Sequence, residues 1–88
     1  MRYKVSIEKK ALKKLNKMDK NNKAYLTSWI NKNLVNSKDP KEKGKALQGE
    51  LGDLWRYRVG NYRILVDIKD DELLILIVDL GHRKDIYK

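Results

Sequence analysis

The 88-residue chain has length for one domain with one shared core, and a domain this small buries only roughly 60–65% of the surface its unfolded form exposes. It has no cysteine, which excludes disulfides and thiolate metal sites and suits a reducing cytoplasm; its lone histidine, His82, cannot build a metal site by itself, so neither metal nor cofactor is expected. The longest apolar run, residues 73–78, is far too short to span a bilayer, and the opening MRYKVSIEKK lacks the apolar stretch of a secretory signal, so no membrane partner is expected. The 21 basic and 12 acidic side chains leave a net charge of +9, placed unevenly: residues 1–45 carry 14 basic and 4 acidic groups, residues 46–88 carry 7 and 8. The lysines crowd the first half, whereas four of the five arginines fall between Arg56 and Arg83. Lysine is a solvated point charge and arginine a planar fork for phosphate oxygens, so the first half reads as an electrostatic landing surface and the second as a site for a polyanion.

In chain order, Tyr3, Val5 and Ile7 alternate with polar residues and predict a short strand with one buried face. Ser6 is the expected cap of a helix running to about Met18, with Ala11, Leu12, Leu15 and Met18 on its apolar side and lysines around the rest. Residues 19–22 read as a break, followed by a second helix to about Val35 that buries Leu26, Trp29, Ile30 and Leu34; the short connection implies an antiparallel pair. Pro40 disfavours helix at the residue before it. Residues 41–53 predict a brief helical turn and a loop tucked onto the core by Leu47, Leu51 and Leu54.

From Leu54 the pattern becomes that of strands. Residues 54–59 and 62–68 flank Gly60-Asn61, a two-residue loop that favours a tight hairpin, and residues 73–80 are apolar on both faces, as in a covered central strand. The expected fold is α+β in the order β-α-α-β-β-β: a largely antiparallel four-stranded sheet with the helix pair on one face, as a single domain over residues 1–88.

The hairpin loop sets a register. Val59 pairs with Tyr62, Arg58 with Arg63, Tyr57 with Ile64 and Arg56 with Leu65, and paired residues share a face. Trp55, Tyr57, Val59, Tyr62, Ile64 and Val66 then face the helices, and Arg56, Arg58 and Arg63 gather on the other side. Like charges directly opposite each other are destabilising, so an anion is expected there. A three-residue loop at Asp70–Glu72 pairs Lys69 with Leu73 and sets Asp79 opposite Arg63, whereas a four-residue loop would turn Asp79 into the core. With the strand ending near Leu80, Gly81 brings His82 and Arg83 beside Arg58 and Arg63, and Tyr87 is free to fold over the same face. Cations for a phosphate, an imidazole that exchanges protons near neutrality and a ring for a base are thus expected to converge.

The runs LWRYRVGNYRILV (residues 54–66) and GHRKDIY (81–87), with the length, element order and Lys-rich first helix, resemble the RelE family of toxins within the RelE/ParE superfamily. The resemblance covers essentially the whole chain. It implies a cytoplasmic toxin of a type II toxin–antitoxin module, an endoribonuclease that cuts mRNA in the ribosomal A site without metal, the ribose 2′-OH attacking its own phosphate to leave a 2′,3′-cyclic phosphate and a 5′-OH. Carried over by position, it implies Arg56 and Arg58 as a substrate-binding basic pair, Arg63 at the scissile phosphate, Arg83 at the leaving group and Tyr87 stacked on a base. The best-known members have lysines where this chain has Arg56 and Arg58. Guanidinium does not readily accept a proton, so His82 is the expected acid or base. The implied partners are the ribosome with A-site mRNA and a RelB-like antitoxin whose acidic segment covers the arginine face, the toxin itself being a monomer. A ParE-like gyrase inhibitor without nuclease chemistry is the alternative on the same fold. A degenerate, purely regulatory toxin would need the set Arg63, His82, Arg83 and Tyr87 to be broken, and all four residues are present.

Overall fold

A computed structural model describes residues 2–47 and 54–82. Strand β1 (Lys4–Ile7) leads into helices α1 (Lys9–Lys17) and α2 (Lys20–Asn33), followed by β2 (Lys45–Ala46), β3 (Trp55–Val59), β4 (Tyr62–Lys69) and β5 (Leu74–His82). The sheet order is β1-β5-β4-β3-β2, with β1 parallel to β5 and the other pairings antiparallel. The expected four strands are thus five, the addition being the two-residue β2 within the stretch read as a loop. Leu47 is half-buried after it, and Leu51 lies outside the described residues.

The apolar spacing accounts for the packing. Ala11 and Leu15 of α1, together with Leu26, Ile30 and Leu34 from α2 and its end, bury against Tyr57, Val59, Ile64, Val66, Ile75, Ile77 and Leu80 of the sheet. Trp29 tilts onto the ring of Tyr57 with centroids 5.4 Å apart, and the Tyr57 hydroxyl donates to the Pro40 carbonyl, tying the turn after α2 to the core. Asp19 caps α2 by accepting from the Asn22 N–H at 2.8 Å, so the break between helices is shorter than the four residues expected. Ser6 does not cap α1. It remains in β1, and the N-cap is Glu8, whose own N–H donates to the Ile77 carbonyl at 2.8 Å, so the edge of the sheet sets the helix start.

Gly60 adopts φ 61° in the hairpin, a conformation open to glycine at little cost, and the β3–β4 register is the expected one: Arg58 opposite Arg63, Arg56 opposite Leu65. The β4–β5 register differs. Leu73 sits in the left-handed region at φ 50°, so the connection runs over four residues and Lys69 pairs with Leu74. A bulge at Leu65/Val66 then shifts the ladder again. Asp79 consequently pairs with Leu65, not Arg63, and strand pairing continues through Gly81 and His82. Among the described residues no helix is long and apolar enough to cross a membrane.

Candidate functional site: an arginine face on the sheet

On the side of the sheet away from the helices, β3 and β4 present Arg56, Arg58 and Arg63. The three differ in setting: Arg58 is exposed, Arg56 half-buried and Arg63 only 6% exposed. The Nε atoms of both Arg56 and Arg63 are buried without a hydrogen-bond partner among the described residues. Among the described residues no carboxylate pairs with any of the three. Leu65, 3% exposed and outside the main core cluster, lies between them on the same face and forms an apolar floor. A buried polar N–H without an acceptor is costly, so these side chains are poised for an anion. Beside Arg63 the partner residue is Gly81, and a Cβ built there meets nothing within 4 Å among the described residues, so the face is open at that pair.

Asp79 does not neutralise Arg63. Its carboxylate accepts from Lys14 of α1 at 2.8 Å and from the Leu80 N–H at 2.9 Å, with Lys10 at 3.7 Å, and so clamps the first helix to β5. His82 also departs from expectation. Because the strand continues past Leu80, His82 pairs with Tyr62 and shares its face, the helix side; the two rings meet edge-on, 5.8 Å apart. The expected placement beside Arg58 and Arg63 is therefore corrected: His82 is one residue from the partner of Arg63 but projects from the opposite side of the sheet. Arg83 and Tyr87 lie outside the described residues. Among the described residues no three His, Asp or Glu side chains gather as metal ligands.

Sequence reasoning did not find the surroundings of His82. A groove of about 380 Å³ runs between the end of α1 and the end of the β4–β5 pair, lined by Lys14, Lys17, Met18, Tyr62, Leu80, Gly81 and His82. Its signal was the spacing of Lys14, Lys17 and Met18 at the end of an amphipathic helix, which became legible only once the strand was seen to reach His82.

Two helices on one face of a mostly antiparallel sheet match the fold of solved RelE-type toxins. The toxin–antitoxin complex RelBE2 from Mycobacterium tuberculosis matches with a TM-score of 0.80 at 26% identity, over 94% of this chain and 100% of the matched one. The archaeal RelE–RelB complex from Pyrococcus horikoshii OT3 gives 0.74 at 29% identity, over 97% and 99%. Toxin RelG of Mycobacterium tuberculosis is 38% identical over 52 residues, 59% of this chain and 60% of that protein. Residues 5–87 match the family described as ParE toxin of type II toxin-antitoxin system, parDE, and the chain belongs to that family, within the RelE/ParE superfamily.

Proposed function

We propose that this toxin is a ribosome-dependent mRNA endoribonuclease that cleaves in the A site. The observation that carries the reading is the arginine face: three guanidinium groups, two with buried Nε atoms lacking acceptors among the described residues, on a face left open at Gly81. Cleavage by internal attack brings its own nucleophile, so no metal-activated water is needed. The ribose 2′-OH attacks the adjacent phosphorus and gives its proton to a base. The P–O5′ bond breaks and O5′ takes a proton, leaving a 2′,3′-cyclic phosphate and a 5′-OH. Negative charge grows on the non-bridging oxygens, and donors fixed in a dry setting before the reaction stabilise it best. Arg63 meets those oxygens, Arg83 the leaving oxygen, and Arg56 and Arg58 the flanking phosphates. Tyr87 stacks on a base. Protonated guanidinium has no lone pair, so none of the arginines is the base, and His82, on the helix side of the sheet, is not placed to reach the same phosphate.

The same face suits an acidic segment of a RelB-like antitoxin, which would silence the toxin by occupying it. The two solved relatives quoted above are toxin–antitoxin complexes, which supports such a partner for a chain that otherwise acts as a cytoplasmic monomer. The family's ParE description favours a second reading, inhibition of gyrase by binding alone. Mapping mRNA 5′ ends in cells after induction separates the two. The nuclease reading expects new in-frame ends with wild type and none with Arg63→Gln or Arg83→Ala. Growth arrest without new ends would favour gyrase, and a folded variant as toxic as wild type removes that residue from the mechanism.

A further inference from the structure

The groove around His82 lies on the opposite side of the sheet from the arginines and has features of its own. Its lining combines the apolar Met18 and Leu80, the edge-on rings of Tyr62 and His82, and the cationic Lys14 and Lys17. At about 380 Å³ it falls at the lower end of the range for small-ligand sites. Lysines at a helix C-terminus also offset the helix dipole, and Lys14 is in addition held by Asp79 at 2.8 Å. Tyr62 packs against the core cluster, and both rings are half-buried beside an exposed Lys17. The ladder joins the groove to the arginine face: Tyr62–His82 is the pair next to Arg63–Gly81, at the very end of both strands.

We propose that this groove is a base-binding subsite for single-stranded RNA: it receives the base of a nucleotide flanking the cleaved step, packed against Tyr62, His82 and Met18, with the adjoining phosphate at Lys17. The inference rests on the arginine face being the RNA site, and gives the strand its course over the end of the sheet. Stacking on an aromatic wall reads the presence of a base more than its identity, because every base has a π-face. A duplex keeps its bases stacked and cannot supply one.

Methyl-labelled methionine gives a direct reporter, since Met1 and Met18 are the only two methionines. The probe is a 2′-O-methyl tetranucleotide, which cannot be cleaved, added at up to millimolar concentration to the full chain while the Met18 methyl and the arginine Nε–H signals are followed. Both sets should move with one Kd. An abasic residue at one flanking position should silence the Met18 shift and weaken binding about tenfold, the arginine shifts remaining. Lys17→Gln should weaken binding severalfold. Arginine signals that move while Met18 stays still would overturn the groove and leave the arginine face standing. The reverse would support the base subsite and overturn the arginine face as the RNA site. Silence at both overturns both.

Discussion

Replacing Arg63 by methionine sets function against stability. The native side chain is 6% exposed, its Nε has no acceptor among the described residues, and it faces Arg58 directly across the strand pair. An unsatisfied buried donor costs about 1–3 kcal/mol and a like-charge cross-strand pair about 0.2–1 kcal/mol. Methionine keeps an unbranched stem over Leu65 and removes both costs. Allowing for imperfect repacking, Arg63→Met should stabilise the free toxin by about 1–2 kcal/mol. Each kcal/mol corresponds to a rise in Tm of about 4–8 °C in a domain of this size. Urea unfolding followed by the fluorescence of half-buried Trp29 and Trp55 measures it, and inorganic phosphate should stabilise wild type more than the variant. The same substitution should abolish mRNA cleavage. A variant less stable than wild type by 1 kcal/mol or more would refute the reasoning, because the guanidinium would then be well satisfied in the free protein.

Gly81→Ala puts a methyl group on the face beside Arg63, where a Cβ meets no described atom within 4 Å, so cleavage should fall while the unfolding midpoint changes little. Tyr57→Phe leaves the buried Pro40 carbonyl without its donor and should cost about 1–3 kcal/mol in urea unfolding. Burial, with the nearby Asp39 charge, raises the Tyr57 pKa above its ordinary 10.0. Its contribution is therefore complete below pH 10.0 and is lost as the pH rises toward the folded value, so wild type should lose its advantage over Tyr57→Phe in alkali. Asp70 is the acidic counterpart. Hydrogen bonds from Lys41 at 2.8 Å and Tyr3 at 2.6 Å lower its pKa below 3.8. That contribution is complete above 3.8 and fades as the pH falls through the lower folded value, so acid unfolding of Asp70→Asn should be flatter with pH than that of wild type.

The hairpin carrying the arginines was legible because a two-residue Gly60-Asn61 turn permits one register, and alternation then assigns every side chain from Trp55 to Val66 to a face. Helix faces were legible for the same reason of period, through Ala11, Leu15, Leu26 and Ile30. The far side of β4 was not. Its register turned on Leu73 adopting a left-handed conformation, unusual for leucine, and on a bulge that no composition signal marks. Those two local events moved Asp79 from Arg63 to Lys14 and put His82 on the helix side. The pair Lys45–Ala46 is too short to leave a periodic signal. Ser6 had the chemistry of a cap but was claimed by pairing with Leu76 in β5.

The most direct test of the account is primer extension on a defined mRNA, with purified wild-type toxin added to ribosomes stalled with a known codon in the A site and, in parallel, to the same mRNA free in solution. New 5′-OH ends should appear within that codon, only where ribosomes are present. Intact mRNA in both reactions, from toxin that still arrests growth in cells, would contradict it and make the arginine face a docking surface for a protein target.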